Sequence, residues 1–471
     1  MTRRNVEAQI ATLTENDVLI VPDLGGVSTT DFQDFAKAIE PGRKAAHARL
    51  DELRKFAVTE VEYANLYGSR PQAASQGKRI DRIRLNNRSG LSDQFILSRL
   101  PSTTAGAILN TAALEQDIAN VYGLELFQNV RYRVTEEEGE TILNLSVEER
   151  SWGPGYFQFG AEYDSNGAGE TLFNVGFSYI KTALNPSGGE WRTGFQLGSE
   201  SAFFTEVHQP LPNHSMFFVN PSLGYEEQSI ALIQNDDVIA AFDGRDSFAQ
   251  VGFGREFGQW GEARIGVRYG DGKVERQIGD PELSDFDFRR GEAFVRFSID
   301  EWDSLNFPKR GTIASAEWLT SRGSLGADTE FDQVMLNAGV AATRGRTSVV
   351  LNVNYNVTTN GTAPEQNVFR LGGFGRLSGL TANQIGGQHS AIFNAILYRQ
   401  MMDHALFPIY TGITFEQGNA WSSRGDISLG DSLSTGSVWL RTETLLGPIY
   451  FAYGRAEGGE DSLYFFMGRP F

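Results

Sequence analysis

The sequence predicts a mainly β protein, a 16-stranded transmembrane antiparallel β-barrel preceded by one small α/β domain and a helical segment. The main observation is alternation: Thr171–Ile180 and Ser348–Val357 carry apolar side chains at every second position and polar or small ones between them. Such a period is typical of strands with one apolar and one polar face. The pattern recurs from about residue 155 to the last residue, as expected for a barrel with lipid outside and water inside. No segment approaches the ~18 consecutive apolar residues of a membrane-spanning helix.

The composition fits this fold and narrows the partners. The 471 residues include 52 Gly and 33 Phe, and aromatic residues make up 12% of the chain. Glycines relieve crowding in curved sheets, and aromatic side chains form girdles at the membrane interfaces. A net charge of −18 argues against nucleic acid as a partner. Cysteine is absent, which fits an envelope protein but also many cytosolic ones.

Residues 1–58 predict a helical segment with few apolar residues. About 58 residues with so little core would not fold well alone, so we expect the end of a larger domain. No apolar signal core follows Met1, and we therefore expect that the chain lacks its natural N-terminus. Residues 59–78 are polar and are predicted to form a linker.

Residues 79–150 predict a compact α/β domain. A strand begins near Ile80, helices are expected over Leu91–Leu100 and Thr111–Gly123, and two alternating segments follow at Asn129–Val134 and Thr141–Val147. The acidic residues between the last two segments are expected to form a solvated hairpin turn. The predicted order is strand, helix, helix, strand, strand.

Residues 151–471 are predicted to form the barrel. Arg264, Arg268 and Arg296 lie on polar faces of predicted strands, where we expect them to balance lumen carboxylates. Short turns such as Pro308–Gly311 are expected at the periplasmic end. The last predicted strand is Asp461–Phe471.

The last strand carries a candidate assembly signal. Leu463, Phe465, Met467 and Phe471 occupy alternate positions, and Phe471 is the final residue. A final strand that ends in an aromatic residue has the form that barrel-assembly machinery recognises. We therefore predict Phe465, Met467 and Phe471 as the signal and this machinery as a partner.

The predicted element order resembles the arrangement of a POTRA domain before a 16-stranded barrel in the bacterial surface antigen superfamily. Two segments support the resemblance. Thr414–Trp421 resembles a late barrel strand in which an acidic residue precedes a glycine by two positions, and Leu371–Leu380 resembles the loop that folds back into the lumen. The resemblance implies a barrel in the outer membrane of a Gram-negative bacterium, surrounded by outer-membrane lipid, with the POTRA domain in the periplasm.

The resemblance also implies a lock between this loop and the barrel wall, formed by Arg376, Ser378, Gly379, Glu416 and Gly418. In the family, an Arg before a Gly of the loop pairs with the acidic residue of the wall. This chain has Ser378 at that position, and Arg376 lies two residues earlier. We expect an Arg376–Glu416 ion pair, because an unpaired buried carboxylate is costly and Arg can bind both of its oxygens. An ordinary Gly-rich surface loop is the alternative.

Residues 1–58 resemble the closing part of a patatin-like phospholipase domain. The resemblance rests on Val21–Gly26, on Asp31–Phe32 and on the small residues Gly42, Ala45 and Ala46 of the following helix. The order patatin, POTRA, barrel is that of fused patatin-type autotransporters. It implies a passenger patatin domain upstream of Met1.

The sequence carries no catalytic set of its own. Patatin-like domains use a Ser in a G-x-S-x-G elbow and an Asp, and this sequence contains no such elbow. Asp243-Gly and Asp271-Gly lack the residue that should follow and fall in predicted barrel hairpins. The five His residues have no metal-ligand spacing. The chain as given is therefore predicted not to be an enzyme, and no cofactor or metal is predicted.

These observations favour an outer-membrane barrel that anchors or translocates a patatin-like phospholipase passenger, a type V secretion translocator. One alternative is a factor that inserts other outer-membrane proteins. Such factors usually carry several POTRA repeats, and only one fits between residues 79 and 150. The other alternative is a lipid acyl hydrolase, if the missing upstream domain is restored.

Overall fold

In the computed structural model, the chain divides into two compact units, Met1–Gln76 and Gly77–Phe471. The structure describes residues 10, 12–14, 17–24, 35–63, 77–150, 155–166, 171–212, 214–234, 237–278, 285–402, 407–444 and 447–468. None of the helices among these residues is long and apolar enough to cross a membrane.

The first unit is helical over most of its described part. Helix α1 spans Phe35–Ala48, α2 spans Leu50–Leu53, and a 3-10 turn follows at Arg54–Phe56. Helix α2 and the 3-10 turn have no buried residue. Such exposure is expected for the end of a larger domain, and the assignment of residues 1–58 stays a prediction. Most of the predicted linker, residues 64–76, lies outside the described residues.

The second unit begins with an α/β domain whose elements follow the predicted order. They are β1 (Arg82–Arg88), α3 (Asp93–Ser98), α4 (Thr111–Tyr122), β2 (Phe127–Glu137) and β3 (Glu140–Glu149). Strand β3 is central, parallel to β1 and antiparallel to β2. Ser92 and Asn110 cap the two helices by accepting hydrogen bonds from backbone N–H groups of the first turns.

The α/β domain buries one face of its sheet under the two helices. Leu143, Leu145 and Val147 alternate along β3 and are almost fully buried. Leu145 and Val147 pack in one cluster with Phe95 of α3 and Val121 of α4. This alternation is why β3 can be the central strand of a half-covered sheet.

The rest of the second unit is a closed barrel of sixteen strands, as the sequence predicts. Its strands are β4 (Gly155–Asn166), β5 (Thr171–Lys181), β6 (Glu190–Gly198), β7 (Ser201–Leu211), β8 (His214–Gln234), β9 (Asp237–Glu256), β10 (Gly261–Ile278), β11 (Phe286–Asp300), β12 (Gly311–Ser321), β13 (Phe331–Arg344) and β14 (Thr347–Gly361). After a separate hairpin of β15 (Phe369–Leu371) and β16 (Ile385–Gly387), the barrel continues with β17 (His389–Met402), β18 (Ile409–Trp421), β19 (Leu433–Thr444), β20 (Gly447–Ala456) and β21 (Asp461–Gly468).

The barrel closes where the last strand meets the first. Strand β21 pairs antiparallel with β4, from Ser462 opposite Asn166 to Gly468 opposite Gly160. The other neighbouring barrel strands are also antiparallel, for example β8 and β9. Closure pairs both edges of the sheet, which a membrane-spanning sheet requires because lipid offers no hydrogen-bond partners.

The two faces of the barrel wall differ as the alternation predicts. On β14, the outward Val349, Leu351 and Val353 are between 39% and 45% exposed, whereas the inward Ser348 is 2% exposed. The aromatic side chain of Phe157 on β4 also points outward and is 86% exposed. An apolar outer face and a polar inner face suit lipid outside and water inside.

Candidate functional site: a loop bound inside the barrel

The segment between β14 and β17 folds into the lumen; we call residues 369–387 the lumen loop. It begins and ends as the hairpin of β15 and β16, with Phe369 opposite Gly387 and Leu371 opposite Ile385. Between the two strands, Gly372, Gly375 and Gly379 have positive φ, and so does Leu377, at 80°. Because residues other than Gly seldom adopt such φ values, Leu377 must be held in this conformation by its surroundings.

Glu416 of β18 is the centre of the site. Its neighbour Phe415 points outward and is 49% exposed, whereas Glu416 points into the lumen and is 0% exposed. Its Oε2 accepts from the backbone N–H groups of Leu377 at 2.6 Å and Ser378 at 2.7 Å. Its Oε1 accepts from Ser378 Oγ at 2.6 Å, and Thr435 Oγ1 of β19 donates to Oε2 at 3.2 Å. Four donors therefore surround one buried carboxylate.

The expected ion pair between Arg376 and Glu416 is wrong. Among the described residues, no Lys or Arg pairs with Glu416, and Arg376 Nη2 instead donates to the carbonyl oxygen of Arg370 at 2.5 Å. The positive φ of Leu377 aims two successive N–H groups at the carboxylate, which is a backbone nest for an anion. Ser378 adds its hydroxyl, so the carboxylate is satisfied without the guanidinium.

Arg376 lies on the other side of the lumen loop. Its side chain borders a cavity of about 570 Å³ together with Glu162, Asp164 and Glu200 of the first barrel strands and their connections. Of the two loop residues predicted for the lock, Ser378 contacts Glu416, whereas Arg376 does not.

A second set of contacts joins the lumen loop to the last strands. Gly379 N donates to Tyr464 Oη at 2.9 Å, and Ser462 Oγ donates to Gly379 O at 3.3 Å. Gly379 has φ +107°, and a methyl group there would come within 2.5 Å of Ala456 N. Only Gly fits this conformation and this close approach.

Apolar and polar side chains complete the fixation of the lumen loop. Leu377 and Leu380 are buried in one cluster with Ile392 and Ala456. The Phe374 ring lies 5.3 Å from Tyr464 and 5.6 Å from Phe466, measured between centroids. Asn394 Nδ2 donates to Gly375 O at 2.8 Å.

Gly418 lies two residues beyond Glu416 and also faces inward. A methyl group there would come within 2.4 Å of Ala391 O on β17. Gly418 thus keeps the strands close beside the carboxylate but contributes no side-chain contact to the lumen loop.

The predicted assembly signal is partly described. Phe465 and Met467 lie on β21 opposite Tyr163 and Ala161 of β4, and the Phe465 ring is 4.9 Å from that of Phe451. Both belong to the outward-facing set of the closing strand. Phe471 lies outside the described residues.

The lumen arginines have the carboxylate partners that the sequence predicts. Arg264 pairs with Glu262 at 2.8 Å, Arg268 pairs with Glu292 at 3.4 Å, and Arg296 pairs with Glu317. No group of three or more His, Cys, Asp or Glu side chains in the described chain could hold a metal ion.

The α/β domain docks on one end of the barrel through residues that sequence reasoning missed. Glu256, the last residue of β9, accepts from Arg99 of the domain and lies 3.1 Å from His208 Nε2 of β7. Gln259 Nε2 donates to Ala119 O of α4 at 2.7 Å. These pairs join parts of the chain about 140 to 157 residues apart, so no local pattern could reveal them.

The turn between β5 and β6 completes the contact between domain and barrel. Ser92 N donates to Pro186 O at 2.8 Å. Ala183 packs against the core of the domain, and a methyl group at Gly188 would come within 2.4 Å of the Phe95 ring. The domain core and this turn are therefore in direct contact.

Comparison with proteins of known structure shows which solved folds resemble this one. No protein-family model and no curated protein sequence matches the chain. Its structure is similar to that of BamA from Haemophilus ducreyi lacking POTRA domains 1–3, with a TM-score of 0.61 and 15% identity over 83% of this chain and 84% of that one.

Two CdiB structures are also similar to this chain. For CdiB from Acinetobacter baumannii the TM-score is 0.60 and the identity 13%, over 99% of this chain and 96% of that one. For CdiB from Escherichia coli the TM-score is 0.59 and the identity 12%, over 84% and 76%. At such identities the likeness concerns the fold, and this chain has the 16-stranded barrel fold of the BamA and CdiB structures.

Proposed function

We propose that the chain is an outer-membrane barrel of the bacterial surface antigen superfamily that moves a polypeptide across or into the membrane. The observation that carries the proposal is the lumen loop, whose Leu377 and Ser378 bind the buried Glu416 of a late strand. This is the place that the family resemblance assigns to its loop and acidic residue. The apolar outer face supports a location in lipid.

We propose further that the α/β domain is a POTRA domain in the periplasm. Its order of elements and its parallel β1–β3 pair support this assignment. It docks on the barrel end that carries the short turns at 257–260 and 345–346, and short turns are typical of the periplasmic side. The similar BamA structure lacks POTRA domains 1–3, so domains of this kind belong to that protein as well.

The passenger assignment rests on residues before the α/β domain. A helical and mostly exposed segment precedes it, as expected if the end of a patatin-like domain leads into the POTRA domain. The activity of such a passenger would reside in the passenger domain, which would carry the catalytic Ser and Asp of that family. The barrel would then serve as anchor and translocator in type V secretion.

A second candidate is insertion of other proteins into the outer membrane. The closing seam between β21 and β4 has seven residue pairs among the described residues, fewer than the eighteen between β8 and β9 and as few as the shortest other pairings, β6–β7 and β20–β21. A short seam has fewer backbone hydrogen bonds to break when a foreign strand is to be added. The fold likeness to BamA is in keeping with this candidate.

A display experiment separates the two functions. The chain is expressed with a signal peptide and an epitope tag before Met1, and folding of the barrel is verified by heat-modifiable gel mobility. A translocator is expected to expose the tag to antibody on intact cells. A tag that is reached only after the outer membrane is permeabilised, in cells with folded barrel, contradicts the translocator interpretation.

The insertion function has its own measurement. Proteoliposomes that contain the chain are mixed with a urea-denatured small outer-membrane barrel, and the folded fraction is followed by gel mobility. Faster folding than with empty liposomes supports insertion. Rates equal to those with empty liposomes, together with surface display of the tag, leave the translocator interpretation as the better account.

A further inference from the structure

The connection between β11 and β12 is far longer than a hairpin turn requires; we call residues 301–310 the plug turn. The two strands are adjacent and antiparallel, so a few residues would suffice to join them. Instead, the plug turn extends from the wall into the lumen. The Trp302 ring lies 3.0 Å from where a methyl group at Gly339 of β13 would be, and Phe307 is buried beside Val350 of β14.

The plug turn is fixed both to β13, the strand next to β12, and to strands farther around the barrel wall. Tyr398 Oη of β17 donates to Pro308 O at 2.7 Å, and Thr343 Oγ1 of β13 donates to Lys309 O at 2.7 Å. The Phe307 ring lies 4.2 Å from that of Tyr410 on β18. The contacts thus reach from β13 to β18 around the inner wall.

Within itself the plug turn is ordered by hydrogen bonds. Asp303 Oδ1 accepts from Lys309 N at 2.8 Å and from Arg310 N at 3.2 Å, and Phe307 N donates to Ser304 Oγ at 3.1 Å. A segment that carries its own hydrogen bonds can move as one body.

The tip of the plug turn is held by Arg441 of β19. The guanidinium carbon lies 3.6 Å from the Phe307 ring centroid and 4.1 Å from that of Tyr450. Among the described residues, Arg441 has no carboxylate partner, and its Nε and Nη2 have no hydrogen-bond partner. A cation held between two rings is bound less firmly than one in a buried ion pair with hydrogen bonds.

The plug turn fills one side of the lumen and borders a cavity on the other side. Leu305 and Asn306 at its tip border the cavity of about 570 Å³, opposite Glu162 and Asp164 of β4. Its base also borders a cleft of about 610 Å³ between barrel and α/β domain, which Trp302 lines together with Arg99. The turn therefore lies between the cleft at the α/β domain and the cavity inside the lumen.

We propose that the plug turn closes the lumen at the end next to the α/β domain and that it withdraws as a unit, with Arg441 as its latch. That the opened lumen would serve as a passage for a polypeptide rests on the proposed function. Closure itself is measured without any passenger, so a failed display experiment and a failed plug experiment are distinguishable.

The test is single-channel conductance of the purified full chain in planar lipid bilayers. Arg441→Ala and Phe307→Ala are each expected to raise the ratio of open to closed time about tenfold, because each removes one member of the cation–ring contact. Arg255→Ala is the matched control, since Arg255 also lies between two rings, those of Phe217 and Phe257, but on the outer face. Equal conductance records for all three variants and the unaltered chain overturn the proposal.

A second measurement tests the proposal if Arg441→Ala or Phe307→Ala does not fold. The chain has no cysteine, so Pro308→Cys introduces a single thiol at a buried position of the plug turn. Tyr398→Phe removes only the hydroxyl that binds this segment and is expected to speed thiol labelling about fivefold, since a single neutral hydrogen bond contributes about 1 kcal/mol. Labelling that is equally fast in the Tyr398→Phe variant and its parent contradicts the proposal, as does a wild-type lumen that is permanently open.

Discussion

Replacing Ser378 by Ala tests the buried contact between the lumen loop and β18. The substitution removes the hydroxyl that donates to Glu416 Oε1 at 2.6 Å and leaves the two backbone N–H donors in place. A hydrogen bond to a charged group contributes about 1.5–3 kcal/mol, so the loop should lose about 2 kcal/mol of local stability. A loss of this size corresponds to about a 30-fold rise in the population of the released loop.

Hydrogen exchange measured by mass spectrometry reads this population directly. The peptide that covers residues 372–387 contains the amides of Leu377, Ser378 and Gly379, all of which have partners in the closed state. Their exchange should become about 30-fold faster in Ser378→Ala if the loop opens locally and recloses quickly. Peptides from the α/β domain provide the internal control, because they should exchange as before.

Arg376→Ala is the variant that distinguishes this contact from the expected ion pair. The Arg376 side chain donates to the Arg370 carbonyl and not to Glu416, so its removal should leave the exchange of the loop within about threefold of wild type. Glu416→Gln should speed the hydrogen exchange of the lumen loop more than Ser378→Ala does, since the side-chain amide places N–H groups opposite the N–H donors of the loop. In the double variant Ser378→Ala, Glu416→Gln the two effects should fall short of their sum. Fast exchange in Arg376→Ala with slow exchange in Ser378→Ala would refute the assignment.

Other contacts yield three more predictions. Gly379→Ala should lower the unfolding temperature in gel-mobility assays and cost about 2–3 kcal/mol, whereas Gly375→Ala, also at positive φ but in open space, should cost less; equal losses would contradict the close approach to Ala456. Arg99→Ala should speed hydrogen exchange in α3, because Glu256 is left with His208 alone; unchanged exchange would show that the domain is held by its other contacts. The purified chain should hydrolyse no acyl ester above background, and activity that a serine-directed phosphonate abolishes would contradict this expectation.

The barrel could be predicted because its determinant is local. Period-2 alternation places Glu416 inward and Phe415 outward whatever the neighbouring strands are. The order of elements in the α/β domain follows from similarly local patterns. Lumen arginines such as Arg264 could be expected to find carboxylates because a buried charge needs a counter-charge.

The details of the site depend on geometry that no local pattern contains. An Arg376–Glu416 pair requires an extended loop, but the positive φ of Leu377 rotates the backbone and brings its N–H groups to the carboxylate. Tyr464 lies on the inward face of the last strand, and its alternation alone does not show that it reaches Gly379 of the lumen loop. Pro308–Gly311 has the sequence of an ordinary short turn. The local sequence does not indicate that the neighbouring Phe307 contacts Arg441, which lies on a strand more than a hundred residues later.

The contact between the domain core and the β5–β6 turn has a consequence for the order in which the protein matures. Phe95 is covered partly by the domain and partly by the turn at Gly188, and Ala183 adds to the same core. Until β5 and β6 have paired, this side of the domain lacks its cover, and a Phe side chain left in water costs about 2 kcal/mol. The domain therefore reaches its full stability only after that part of the barrel exists. A chain in transit, with its strands still unpaired, carries a domain that is easier to unfold than the same domain in the finished protein.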